Sequence, residues 1–496
     1  MTYSVAITEE INKKLCEHLI REDGQEDLCF AFYTPCTGNH RKTAIISNVL
    51  VPSKGDRNLH GNVSFNSAFF DKATAFALAN NLGICFIHSH PGPGWQSMSI
   101  DDILAEEMLA PRVKAVTSLP LVGMTLGNDS TWSARFWTKK APKTYERNWC
   151  ESVRIIGKGL KLYYCDQLLK KPVFGEEFSR TISAWGNSKQ SHLSRIKVGI
   201  VGLGSVGSIV AESLQRTGIQ NITLIDFDRI EKKNLDRLLA AGRCDIGKFK
   251  VDFQKERLLA TGVNPNLKIL SVPYSISEQE GLSAALDCDV LFSCVDRPLP
   301  RFIMDCISFA NFIPIIDGGI DANPKDDMSN IDQARWKAHT TGPERICMQC
   351  LGQYKPEDVA LEQSGELEDP QYIKNLPLDH FVHRGENVFA FSLSLASMEI
   401  QQFLSLALLP RSIYYGPKEM DFNTGNIDFN FENECNLNCA ISGLQGKGDD
   451  INRAMLSQHL AAEKSRNQFN QKLKNKKHFK ENLQARFIKF ITAFFS

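Results

Sequence analysis

His88 and His90 stand two residues apart in the run CFIHSHPGPGWQSMSIDDILAEE. On a strand that spacing sends both imidazoles to one face, supplying two corners of a tetrahedral metal site. The PGPG turn lets the chain double back. Ser99 then suits the N-cap of a helix whose first turn carries Asp101 and Asp102 towards the imidazoles. A second chemical signal begins at Lys197 with KVGIVGLGSVGS, where Gly202, Gly204 and Gly207 follow an apolar strand and open a helix. Backbone amides at such a turn suit phosphate, and Asp226, at the end of the next strand, suits ribose hydroxyls. A third is cysteine: Cys347 and Cys350 form one close pair, Cys435 and Cys439 another, in the two-pair form of tetrathiolate zinc, with buried free thiols as the alternative.

These signals need elements to hold them. Residues 1–140 read as a helix over Ile7–Leu19, strands at Leu28–Tyr33, Thr43–Val51 and Ile84–His90, a helix after Ser99, and a meander over Pro111–Phe136. Residues 141–194 read as a connector with an amphipathic helix at Ser152–Leu169. Residues 195–445 alternate strands (Ile222–Asp226, Val290–Cys294, Pro314–Asp317) with helices, as a parallel α/β sheet does. Residues 446–496 read as a basic amphipathic helical tail, in which Phe479, Leu483, Phe487 and Phe490 share one face.

Composition bounds the partners. The 496 residues carry 57 basic and 57 acidic side chains, so no global charge calls for nucleic acid or membrane. The balance is uneven, with eleven basic against four acidic residues from Gly446 onward. No apolar run spans a bilayer, the first residues resemble no export signal, and fourteen cysteines then imply reduced thiols or metal ligands in a cytoplasmic protein.

The His-x-His-Pro, glycine-turn and Ser-x-x-Asp run resembles the JAMM (MPN, Mov34-type) metalloprotease family. The resemblance implies an N-terminal MPN-type, cytidine-deaminase-like α/β zinc hydrolase domain. His88, His90 and Asp102 would be its zinc ligands, Asp102 being preferred to Asp101, and Ser99 an oxyanion contact. Its general base is matched by Glu26, with Glu22 the alternative. A structural module of the same fold is the other reading.

The runs IDFDRIEKKNLDR, GKFKV and SCVDRPLPR resemble the ThiF/MoeB/ubiquitin-activating-enzyme family, a Rossmann-like adenylation domain. The resemblance implies that Asp226 and Asp228 bind nucleotide, Asn234 and Arg237 approach the phosphates, Lys250 neutralises the triphosphate, and Asp296 positions magnesium and the reacting carboxylate. Arg180, in EEFSRTISAWG, matches an arginine reaching a neighbouring subunit's ATP site, which implies a homodimer; a solvated charge is the alternative. No cysteine lies between Cys350 and Cys435, where thioester-forming relatives carry theirs, and Cys244 is an outside candidate.

Together the resemblances imply a prokaryotic-style enzyme that trims a ubiquitin-like or sulfur-carrier protein and adenylates its exposed C-terminal carboxylate. Its cofactors would be catalytic and structural zinc, ATP and magnesium, and a conjugating enzyme is a candidate partner. The alternatives are a sulfur-transfer activator and a binding scaffold with one half silent. An NAD-dependent oxidoreductase stands as the fold-level alternative.

Overall fold

The computed structural model describes residues 1–60, 62–324, 331–377, 380, 382, 386–410, 414–429 and 434–467. Among these residues two large sheets form, one in each half. The first has nine strands in the spatial order Leu160–Tyr164, Ser152–Ile156, Thr2–Thr8, Arg41–Leu50, Leu28–Thr37, Gly83–His90, Leu121–Gly127, Trp132–Ala141 and Thr144–Trp149. Its central strand Leu28–Thr37 opens with the apolar run Leu28–Tyr33, buried because both faces are covered there. Cys29, Ala31 and Tyr33 pack towards the helix Glu9–Leu19, while Leu28, Phe30 and Phe32 pack towards the helices Ser67–Ala79 and Ile100–Thr117.

Two expectations are corrected here. Ser152–Leu169 is not a helix: Ser152–Ile156 and Leu160–Tyr164 pair antiparallel, and the first of them pairs parallel with Thr2–Thr8. The buried SVRII segment is rich in β-branched residues, and Gly157 and Gly159 make the turn between the strands. The first unit therefore runs to Tyr164, and the connector begins after it. The helix from Ile100 also continues past Pro111 to Thr117, so the meander starts only at Leu121. A proline there removes a single N–H donor from the helix.

The second sheet has the order Lys268–Val272, Asn221–Ile225, Lys197–Val201, Val290–Ser293, Ile315–Pro324, Ile331–Thr341, Lys418–Asp421 and Ile427–Phe429. Its first five strands are parallel. The order reverses between Lys197–Val201 and Val290–Ser293, and such a switch point opens a ligand crevice at the carboxyl ends of the strands.

The halves share one apolar core. Ala6, Ile45, Ile156, Leu160 and Leu162 from the first cluster with Ile200, Leu224, Leu291 and Ile316 from the second. At its edge Asp289 accepts from Arg41 Nη1 at 2.6 Å, from Arg154 Nη1 at 3.0 Å and from the Lys197 amide at 3.0 Å. The start of the expected tail is part of this junction. Gly446 N donates to Phe309 O at 3.0 Å, Thr37 N donates to Asp449 at 2.8 Å, and Asn452 bonds Asn311 at 2.9 Å. The expected face Phe479, Leu483, Phe487 and Phe490 lies outside the described residues. Among the described residues no helix is long and apolar enough to cross a membrane.

Candidate functional site

The first centre lies at the carboxyl end of Gly83–His90. Leu28 pairs with His88 and Ser89 N donates to Asp27 O at 3.0 Å, so the antiparallel register brings Glu26 opposite His90. His88 Nε2 and His90 Nε2 are 3.1 Å apart, and each lies 3.3 Å from an Asp102 carboxylate oxygen. Ser99 and Asp102 form a capping box: Ser99 Oγ accepts from Asp102 N at 3.1 Å and Asp102 Oδ2 accepts from Ser99 N at 2.8 Å. The helix cap thus orients the carboxylate, and the Ser99 hydroxyl is engaged with it. Asp101 is exposed.

The donor set fits zinc. Tetrahedral bonds of about 2.0–2.1 Å put neighbouring ligand atoms roughly 3.3 Å apart, close to the three separations found. Burial alone would raise the Asp102 carboxyl, but hydrogen bonds to His88 and His90 outweigh it and hold the group well below the ordinary carboxylate range. Burial raises Glu26, with His90 and His88 pulling the other way, so this half-buried carboxyl senses the cluster. Glu22 is exposed; of the two candidates, Glu26 is the one brought to the centre.

Sequence reasoning missed the groups that fix this geometry. Asp27, 1% exposed in its side chain, accepts from Arg57 Nη2 at 2.8 Å and lies 2.7 Å from Arg57 Nε in an ion pair, and it anchors the segment carrying Glu26. Behind the Asp102 helix, fully buried Glu106 accepts from Arg135 Nε at 2.9 Å and from Trp137 Nε1 at 2.6 Å. An acid at helical spacing from Asp102 was the available signal.

The nucleotide crevice is built at the switch point. Gly202 has φ +89°, and a side chain on Gly207 would overlap the Gly202 carbonyl oxygen, so both positions require glycine. Asp226 accepts from Leu203 N at 2.6 Å and from Asp228 N at 2.7 Å, which ties the acidic strand end to the glycine turn. Lys250 Nζ lies 2.7 Å from Asp228 and 3.9 Å from Asp226, in a nearly buried position. Burial lowers the lysine, but the Asp226 and Asp228 charges outweigh it and raise it well above its usual value, with a further contribution from Asp296. Asp226 is raised by burial, against the pull of Lys250.

Other expected residues are engaged locally. Asn234 Oδ1 accepts from Glu231 N at 2.9 Å, and Arg237 Nη1 donates to Lys233 O at 2.8 Å, so both bond within their own turn. Arg180 is exposed on the helix Ser179–Trp185. Cys244 is exposed, with its thiol 3.7 Å from Asp245.

The four cysteines do converge. Cys347, Cys350, Cys435 and Cys439 offer sulfur atoms all within 4.8 Å of one another. Cys347 Sγ is 3.5 Å from Cys439 Sγ, Cys347 N donates to Cys435 Sγ at 3.2 Å, and Cys350 N donates to Cys347 Sγ at 3.3 Å. Amides aimed at sulfur favour thiolates, and a zinc tetrathiolate with bonds of about 2.3 Å fits such a cage. The extra residue of the second pair is taken up by a turn in which Cys439 N donates to Asn436 O at 2.9 Å.

Sheet order, glycine turn and acidic strand end define a Rossmann-type nucleotide-binding domain beside a three-ligand centre on a separate sheet. Residues 178–364 of that domain match the ThiF family. The chain is 30% identical over 129 residues to the molybdopterin-synthase adenylyltransferase of Escherichia coli, covering 26% of this chain and 51% of that protein. It is 33% identical over 139 residues to the tRNA threonylcarbamoyladenosine dehydratase of Bacillus subtilis, covering 25% and 54%. To the adenylyltransferase and sulfurtransferase UBA4 of Meyerozyma guilliermondii it is 26% identical over 138 residues, covering 28% and 32%. The chain thus spans about half or less of the curated relatives it matches. The crystal structure of E. coli MccB overlays with a TM-score of 0.42 at 19% identity, over 54% of this chain and 72% of that one, too loosely to bear on topology.

Proposed function

We propose that this chain adenylates the C-terminal carboxylate of a ubiquitin-like or sulfur-carrier protein. The observation that carries the reading is the Gly202–Gly207 turn tied through Leu203 N to Asp226, with Lys250 fixed beside it. In this reading the turn's amides receive phosphates, and Asp226 and Asp228 hold the ribose side. Lys250 offsets the repulsion as the carboxylate oxygen attacks the α-phosphorus of ATP and pyrophosphate departs. Asp296 would hold the magnesium ion, and Asn234 and Arg237 would leave their own turn to meet phosphate. Arg180 would act on a second copy's site. The names of the molybdopterin-synthase adenylyltransferase and the adenylyltransferase and sulfurtransferase UBA4 support adenylation, the latter also supporting a sulfur-carrier substrate.

A second activity is supported by the convergence of His88, His90 and Asp102 at 3.1–3.3 Å. In this reading the first half is a JAMM-type zinc peptidase that frees the carboxylate the second half adenylates. A zinc ion held there supplies Lewis acidity to water and to the peptide carbonyl. Glu26 takes the proton that water gives up and returns it to the leaving amine, while the Ser99 hydroxyl faces the carbonyl oxygen. Cys347, Cys350, Cys435 and Cys439 would hold a structural zinc ion.

The test is incubation of the full chain with ubiquitin-like proteins bearing native or extended tails, with ATP and magnesium. Pyrophosphate exchange and intact mass are read together. Exchange lost in Asp296→Ala supports adenylation, and tail trimming lost in Glu26→Gln supports the peptidase. Absence of exchange with every carrier offered overturns the first reading, and trimming that survives Glu26→Gln overturns the second.

A further inference from the structure

The segment Ser457–Arg466, part of the stretch that the sequence reads as a basic amphipathic helical tail, crosses the carboxyl ends of two neighbouring strands of the second sheet. Ser457 N donates to Ser277 O at 3.0 Å. His459 lies against Phe227 with ring centroids 4.5 Å apart. Ser465 Oγ donates to Phe227 O at 2.9 Å, and Ser465 O accepts from Arg229 Nε at 3.2 Å and Nη2 at 3.0 Å. Arg466 closes the far side. It donates to Pro273 O at 3.2 Å, pairs with Glu278 at 2.5 and 2.9 Å, and lies 4.2 Å over the Tyr274 ring.

These anchors follow the two strands that lie beyond Lys197–Val201 on the side away from Val290–Ser293. Phe227 and Arg229 flank Asp228 just beyond Asn221–Ile225, and Pro273 and Tyr274 follow Lys268–Val272 directly. In a Rossmann-type sheet the phosphates take the glycine turn and the ribose takes the acid on the next strand, and the base, joined to the ribose on the side away from the phosphates, then lies beyond that acid along the row of strand ends. Here that row is Gly202–Gly207, Asp226, and then the ends now covered by Ser457–Arg466. We infer that Ser457–Arg466 is the base-side wall of the nucleotide site, so that docking of this segment and binding of nucleotide reinforce each other. The inference rests on the nucleotide reading above and adds to it a specificity element contributed by a part of the chain outside the ThiF match.

The test titrates magnesium and the α,β-methylene analogue of ATP into the full chain by calorimetry. Arg466→Glu, which repels Glu278, is expected to weaken binding tenfold or more, and the charge swap Glu278→Arg/Arg466→Glu to recover most of it. In the unaltered chain, saturation with nucleotide is expected to slow amide exchange across residues 457–467. Binding to the unaltered chain together with equal or tighter binding to a folded Arg466→Glu variant overturns the wall while leaving the nucleotide reading intact. Unchanged exchange at 457–467 overturns it independently of how that variant folds. Failure of the unaltered chain to bind removes both.

Discussion

Asp289→Asn tests whether one carboxylate clamps the two halves together. Its side chain is 3% exposed and those of Arg41 and Arg154 are 2% exposed. The substitution keeps the shape but leaves two buried guanidinium groups facing a neutral amide. Breaking a buried pair in this way costs about 3–5 kcal/mol, a large part of the roughly 5–15 kcal/mol that holds a typical domain folded. With a urea slope of about 2–3 kcal/mol/M, the midpoint should fall by roughly 1–2.5 M. Calorimetry should then resolve two transitions where the unaltered chain gives one. Burial would raise the Asp289 carboxyl, but Arg41, Arg154 and Lys197 outweigh it and hold it below the ordinary carboxylate value. A depressed carboxylate contributes its stability above the unfolded pKa of about 3.9 and loses it as pH falls through the lower folded value. The gap between the two proteins should therefore be flat from about pH 5 to 8 and close only below about pH 4. A midpoint within about 0.3 M of the unaltered one, in a single transition, refutes the clamp.

Gly207→Ala forces a methyl into the Gly202 carbonyl oxygen and must shift the glycine turn; nucleotide affinity should fall about 100-fold with the circular dichroism unchanged, as measured by titration. Ser99→Ala removes half of the capping box, so helix stability should fall by about 1 kcal/mol and zinc affinity at the first centre by about tenfold, measured by competition with a chelator. Native mass spectrometry should count two zinc ions per chain, with His88→Ala and Cys350→Ser each releasing a different one and only Cys350→Ser lowering the melting temperature by several degrees.

What could be read from the sequence was what lies close together along the chain. His88 and His90 share a strand, Ser99 and Asp102 share a cap, and Gly202 to Gly207 share a turn, so local geometry alone brought their atoms together. The four cysteines were readable for a related reason, since each pair is local even though 88 residues separate Cys347 from Cys435. The supporting network was not readable. Arg57 reaches Asp27 across 30 residues, Arg135 reaches Glu106 across 29, and Arg41 reaches Asp289 across 248. No period or spacing marks such pairs. The hairpin at Ser152–Tyr164 was misread for the same reason, because its residues also fit a helix and the choice is made by the edge that Thr2–Thr8 offers. Asn234 and Arg237 were assigned to phosphate from a motif that does not specify their orientation when they bond to their own turn.

The shared core changes what each site's ligand does to the other half. A ligand that binds only the folded state stabilises it by RT ln(1 + [L]/Kd), about 2.7 kcal/mol at a concentration of 100 Kd. If the halves met through a thin polar contact, that energy would stay in the half that binds. Here Ile45, Leu160 and Leu162 share an apolar cluster with Ile200 and Leu291, so unfolding either half strips the other of its packing. Nucleotide added to the second half should therefore raise the unfolding temperature reported by Trp132 and Trp137, which lie in the first. In Asp289→Asn the same addition should move those tryptophans less, because the Asp289 ion pairs with Arg41 and Arg154 are gone from the junction while the nucleotide crevice is untouched. Equal shifts in both proteins would mean that apolar packing alone carries the coupling.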